Sequence, residues 1–208
     1  MKLAIVCNDV LKEAFLRRGL KAGIEAVFVE QPGQVPADAG AIIDLLFENE
    51  ASRVAALAAW LPRPVLVHSV VATLADIGQP FIRLNAWPGF LLHETLEIAA
   101  LPGREADVQQ IFMQFGWKYR LVPDIAGLIS ARVIAMIINE AWFTYGDGIS
   151  TREEIDIAMK SGTNYPYGPF EWGEKIGLRN ICRLLTTMSG TDNRYQPAPV
   201  MEAACAKE

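Results

Sequence analysis

The chain has 208 residues, 51% of them hydrophobic and 21% charged, with a formal net charge of −5. This content excludes a disordered or collagen-like chain, and the acidic balance argues against nucleic acid or an anionic membrane as the main partner. Three cysteines without CxxC spacing indicate neither a disulfide framework nor a zinc site, so free thiols in a reducing compartment are expected. With only His68 and His93 in the chain, a histidine metal cluster is excluded and no metal is expected.

In chain order, 3–6 reads as a strand, 10–21 as a helix, and 26–29 and 41–46 as strands. An alanine-rich helix follows at 51–60, then strands at 64–67 and 80–84 with a short helix between them. A strand at 96–100, a helix at 104–115 and a strand at 118–121 finish this half. The strands up to residue 84 are near-continuously hydrophobic, as strands buried on both faces should be. Their alternation with helices over short connections predicts a parallel, helix-covered sheet.

From about Asp124 the pattern is helical only. The span 125–145 carries Ile129, Val133, Met136, Ile137 and Phe143 at helical spacing, and Gly146 ends it. Thr151-Arg-Glu-Glu154 has capping-box spacing and opens a helix through Lys160, which Gly162 closes. Further helices are predicted at 170–176, 180–188 and 198–206. The boundary falls near 122–124, giving domains 1–122 and 123–208. No apolar run reaches the roughly 18 residues a membrane helix needs; Arg132 and Asn139 interrupt the best candidate. The first nine residues lack the apolar core of a signal peptide, so a cytoplasmic protein is expected.

Within the helical half, Ile155-Asp156-Ile157-Ala158-Met159-Lys160, Gly162 and Asn164-Tyr-Pro-Tyr-Gly-Pro-Phe-Glu171 stand in close order. Asp124-Ile-Ala-Gly-Leu-Ile129, Arg132 and Asn139-Glu140 precede them, and Ile176-Gly-Leu178 and Arg194-Tyr-Gln-Pro-Ala-Pro199 follow. Together these motifs resemble the C-terminal helical domain of 3-hydroxyacyl-CoA dehydrogenases. The chain also resembles the extra C-terminal portion of some long bacterial 3-hydroxybutyryl-CoA dehydrogenases. The resemblance implies an α/β fold: a reduced Rossmann-like parallel sheet, then an all-α domain like the C-terminal part of 6-phosphogluconate dehydrogenase. The Tyr165-Pro-Tyr-Gly-Pro169 segment is a rigid turn, its proline fixing φ and its glycine permitting a sharp reversal.

The nucleotide half departs from the family pattern. Where the family has a GxGxxG turn whose backbone N–H groups meet the pyrophosphate, this chain has Cys7-Asn8-Asp9-Val10-Leu11-Lys12, with no glycine. Ordinary NAD binding through that turn is not expected. Fragments of a nucleotide site remain: Glu30 ends the second strand, where an acid accepts from a ribose hydroxyl. Glu48, in Phe47-Glu48-Asn49, resembles the family's Glu-Asn motif, and Arg53 lies where the family has a lysine. Residues 31–39 replace a long helical excursion that helps hold CoA.

The family uses a histidine base oriented by a glutamate, and the alignment puts Asn85 at the histidine and Glu97 at the glutamate, twelve residues later. An amide cannot take the proton. The substrate serine falls near Val70, one step from Ser69, and the helical asparagine falls at Ala131. His93 and Glu97 on one strand would stand about 13 Å apart, too far for a dyad. His68 offers no clear replacement base.

The expected function is therefore a catalytically degenerate family member of acyl-CoA metabolism. It would act as a dimerisation or accessory module, pairing with itself or with an intact dehydrogenase. Trp142, Phe143, Tyr167, Phe170 and Trp172 are candidate anchors. The alternative is an active NAD-dependent 3-hydroxyacyl-CoA (3-hydroxybutyryl-CoA) dehydrogenase, alone or with a partner chain. A third reading is acyl-CoA binding without turnover, with Arg132, Lys160 and Lys175 meeting CoA phosphates.

Overall fold

A computed structural model describes residues 1–207, and the chain divides into two compact units, Met1–Leu128 and Ile129–Glu208. In the first, β1 (Lys2–Val6), β2 (Glu25–Val29), β3 (Ala41–Asp44), β4 (Val65–His68), β5 (Ile82–Leu84), β6 (Thr95–Ala99) and β7 (Lys118–Leu121) make one sheet, in the order β2-β1-β3-β4-β5-β6-β7. Side-chain alternation gives it two apolar faces. Leu3, Ile5, Ile43, Leu66 and Leu84 pack under Phe15 of α1 (Asp9–Arg18) and Phe112 and Phe115 of α4 (Glu105–Phe115). Ala4, Val6, Ile42, Val65 and Val67 pack under Leu57 of α2 (Ala51–Ala58) and Leu74 and Ile77 of α3 (Leu74–Ile77). Full burial of such side chains contributes roughly 1.5–3 kcal/mol each, which is why these strands read as unbroken apolar runs.

The sheet is not wholly parallel. Every pairing is parallel except β5–β6, which is antiparallel with Leu84 opposite Ile98. The reason is the connection, since only a single 3-10 turn at Phe90–Leu92 separates the two strands. A parallel return needs a longer crossover, usually a helix.

In the second unit, α5 (Ser130–Gly146) packs on α7 (Pro169–Ile176), α8 (Leu178–Ser189) and α9 (Pro199–Cys205), and α6 (Arg152–Thr163) packs on α5 and α7. Ile138, Trp142, Phe170, Ile181, Leu184, Leu185 and Met201 form its buried interior. Helix α5 begins five residues later than the apolar spacing predicts. Gly127 and Leu128 take positive φ (83° and 50°), which breaks the helix, and 123–128 packs with the sheet unit instead. Gly162 does not close α6 either. The helix runs to Thr163, and Asn164 caps it in the left-handed region, its N–H donating to the Lys160 carbonyl (3.1 Å).

The expectation of three free thiols is overturned. Cys182 of α8 and Cys205 of α9 form a disulfide, with Cα atoms 6.8 Å apart, and only Cys7 is free and buried. Spacing along the sequence could not show this, because it is helix packing that brings the two together. Among the described residues, no helix is long and apolar enough to cross a membrane, and no group of three metal-ligating side chains exists.

Candidate functional site

In an open α/β sheet of this kind, ligand chemistry gathers at the carboxyl ends of the strands, where the strand order reverses. Here that point is β1, with β2 on one side and β3 on the other. The chain leaves β1 through Cys7, whose N–H donates to Val29 (3.0 Å), and enters α1 at once. Asn8 is the N-cap, its side-chain oxygen accepting from Leu11 N–H (3.0 Å), and Asp9 adds a carboxylate to the first turn. One backbone N–H at the start of α1, that of Leu11, is thus served from within by Asn8, and the turn carries a side chain at every step. Glu30 follows β2, exposed, its backbone N–H held by the Gln34 side chain (2.9 Å). Glu48 is exposed beyond β3, behind the buried Phe47.

Arg53 does not face this crevice as a free cation. It makes two 2.7 Å bonds to Asp44, which is wholly buried at the end of β3. Burial pushes the Asp44 carboxyl up, and the Arg53 guanidinium draws it back. Asp44 escaped the sequence reading because it sits within an otherwise apolar strand.

The second group lies at β4, β5 and β6. The register that pairs Leu84 with Ile98 brings Asn85, one step further, opposite Glu97. Asn85 is buried, with its carbonyl accepting from Trp87 N–H (2.9 Å) and its Nδ2 lacking a hydrogen-bond partner. Glu97 is half-buried. Ser69 spends its hydroxyl on the Ala72 carbonyl (2.7 Å), and the neighbouring Val70 carbonyl accepts from Gly127 N–H (2.7 Å).

Neither histidine joins Asn85 and Glu97. His68 pairs with Leu84 in the β4–β5 register, so its side chain is on the opposite face from Asn85. Its Nδ1 accepts from Ala86 N–H (2.9 Å), and burial lowers its pKa to about 4. That imidazole is neutral at ordinary pH, with Nδ1 already engaged. His93 is exposed, its ring against Phe90 (5.0 Å), and its carbonyl accepts from Arg18 (2.8 Å).

Arg83, which the sequence reading did not single out, anchors this end of the sheet. It is fully buried on β5, where it donates to the Ser69 carbonyl (3.0 Å) and the Val70 carbonyl (3.3 Å) and pairs with Asp124. Asp124 in turn accepts from Leu74 N–H (2.8 Å) at the start of α3. Three chain segments thus meet on one guanidinium.

In the helical unit the quoted motifs are joined by hydrogen bonds. Asp156 is buried and accepts from Phe170 N–H (2.8 Å) and Glu171 N–H (3.0 Å), closing the start of α7. Gly168 has φ −70°, so its need is space rather than a reversed backbone; a Cβ there would lie 2.2 Å from Asp156 Cγ. Asn139 holds Gln196 and Ala198 through both ends of its amide (2.9 and 2.8 Å), and Arg132 donates to the Tyr195 hydroxyl (2.6 Å). Ala131 is buried. Lys160 pairs with Glu171, and Lys175 lies over the Tyr167 ring (4.5 Å). Of the five aromatic anchors, Trp142 and Phe170 are core residues whose rings meet edge-on (centroids 5.2 Å apart), while Phe143 and Tyr167 are exposed and Trp172 is half-buried.

Residues 127–208 match the family model described as 3-hydroxyacyl-CoA dehydrogenase, C-terminal domain. The 3-hydroxyadipyl-CoA dehydrogenase of Escherichia coli (strain K12) is 32% identical over 161 residues, 76% of this chain and 30% of that protein. The "Probable 3-hydroxybutyryl-CoA dehydrogenase" of Bacillus subtilis (strain 168) is 27% identical over 94% of this chain and 74% of its own length. Among solved structures, (S)-3-hydroxybutyryl-CoA dehydrogenase from Ralstonia eutropha shares the fold, with TM-score 0.72 and 19% identity over 99% of this chain and 93% of that one. The match thus spans under a third of the E. coli enzyme's length. By its helical motifs, its sheet and these relatives, the chain belongs to the 3-hydroxyacyl-CoA dehydrogenase family.

Proposed function

We propose that the chain is a catalytically degenerate member of this family, serving as a dimerisation or accessory module that pairs with itself or with an intact dehydrogenase. The carrying observation is Asn85. It stands opposite Glu97 where the family's base belongs, its amide has no basic lone pair, and its carbonyl is committed to Trp87 N–H. The start of α1 supports the same reading. A pyrophosphate does not fit a turn without glycine in which Asn8 already takes the Leu11 N–H and whose first turn carries Asp9. In the helical unit, by contrast, the motif residues are engaged in holding their own fold, which suits a module whose helical architecture is its working part.

The test is titration of the purified chain with NADH and acetoacetyl-CoA, following binding and the decay of A340, with size-exclusion mass read in parallel. The expected result is no saturable NADH binding, no turnover, and the mass of a dimer or of a complex with an intact dehydrogenase. Micromolar NADH binding with steady turnover would establish the alternative, an active NAD-dependent dehydrogenase using Glu30 for the ribose and Glu97 beside the substrate. Acyl-CoA binding without turnover would assign the chain a ligand-holding role instead.

A further inference from the structure

The disulfide joins the middle of α8 to the last residue of α9, 23 positions apart. Cys182 and Cys205 are both half-buried rather than sealed in the core. Cys7 differs, because it is buried on the sheet and burial raises its pKa. Ala204, the residue before Cys205, forms one wall of a cavity of about 220 Å³ with Trp142, Arg152, Phe170, Glu174 and Leu178. Inside it the Arg152 guanidinium lies over the Trp142 and Phe170 rings, at 5.3 and 4.8 Å. Trp142 Nε1 and Arg152 Nε are buried there without hydrogen-bond partners.

The covalent link at Cys205 fixes the end of α9 next to Ala204, and so fixes that wall of the cavity. We propose that Cys182–Cys205 is a reversible redox latch that holds α9 closed over the Trp142–Arg152 cavity. The exchange partner is a glutathione-type thiol. One thiolate attacks a protein sulfur, breaking the S–S bond to give a mixed disulfide and a protein thiolate. A second thiolate displaces the mixed disulfide, so two thiols are oxidised to one small disulfide while the protein gains two thiols. This inference does not depend on whether the chain binds NAD.

The test uses the full chain equilibrated across ratios of reduced to oxidised glutathione, with alkylation and mass spectrometry to count thiols and hydrogen exchange to follow 199–205. The expected result is a titration in which two alkylatable cysteines appear together while α9 amides exchange at least threefold faster. Cys182→Ser and Cys205→Ser should exchange fast at every ratio, and Cys7→Ser should behave as the parent. A protein that never forms the bond, or α9 exchange changed less than threefold on reduction, overturns the proposal. Should either serine variant fail to fold, the oxidised and reduced parent still decide the matter.

Discussion

The two units use their buried polar groups differently. In the sheet unit, Arg83 ties together segments around residues 69, 83 and 124, and Arg53 satisfies Asp44, so buried charge fixes the ends of strands. In the helical unit, Asp156 and Asn139 are spent on backbone N–H and C=O groups, so uncharged turns and helix starts are fixed by single side chains. The difference explains where the family pattern is strong. A residue that satisfies a neighbour's backbone cannot change without loosening a turn, and in the helical unit those residues stand within the stretch that the family model matches.

The largest expected effect comes from the sheet unit's charge cluster. Arg83→Met removes the partner of Asp124 and the donors to two buried carbonyls, and should cost about 3–5 kcal/mol in urea unfolding. A loss under about 1 kcal/mol would mean that strand ends do not depend on this guanidinium. In the helical unit, Gly168→Ala places a methyl 2.2 Å from Asp156 Cγ and should cost about 2–3 kcal/mol. If thermal melting of that variant matches the parent, the close approach is not a constraint.

Acid should distinguish the units next. His68 has a folded pKa of about 4, below its ordinary 6.5, so the unfolded chain binds more protons between those values. Its contribution is complete above pH 6.5 and is lost as pH falls toward 4. The parent should lose about 2 kcal/mol more than His68→Gln between pH 7 and pH 4.5, the ring being slightly screened by solvent. Equal losses in the two proteins would show that His68 protonates without strain. The smallest effect belongs to Asn8→Ala, which removes the α1 cap at a cost of about 1 kcal/mol, read from urea midpoints. If the urea midpoint of this variant matched the parent, the Asn8 side chain would not be holding the start of α1.

The order of strands and helices was legible because the central strands are largely apolar and alternate with helices over short connections, and Thr151 with Glu154 caps α6 as its spacing predicts. The antiparallel β6 was not legible, since it depends on a connection too short for a crossover. The buried charges were hidden for a similar reason. Arg83 meets a carboxylate 41 positions away, and nothing near it in the chain announces that partner. The cysteine pair likewise becomes visible only when α9 folds back on α8. Asn85 and Glu97 were found through the resemblance, but their meeting across β5 and β6 is a property of register.

That register has its own consequence for how the chain tolerates change. Asn85 and Glu97 face each other from antiparallel strands, and the connection between those strands is pinned: Trp87, Phe90 and Leu91 are buried, and Arg18 donates to the Leu91 and His93 carbonyls. A one-residue slip of β6 would break more. It would turn Glu97 to the other face and expel Leu96 and Ile98, 2% and 0% exposed, from the apolar layer under α1 and α4. The pairing of the two polar residues is thus guarded by their hydrophobic neighbours, and a single deletion inside β6 should not be accepted.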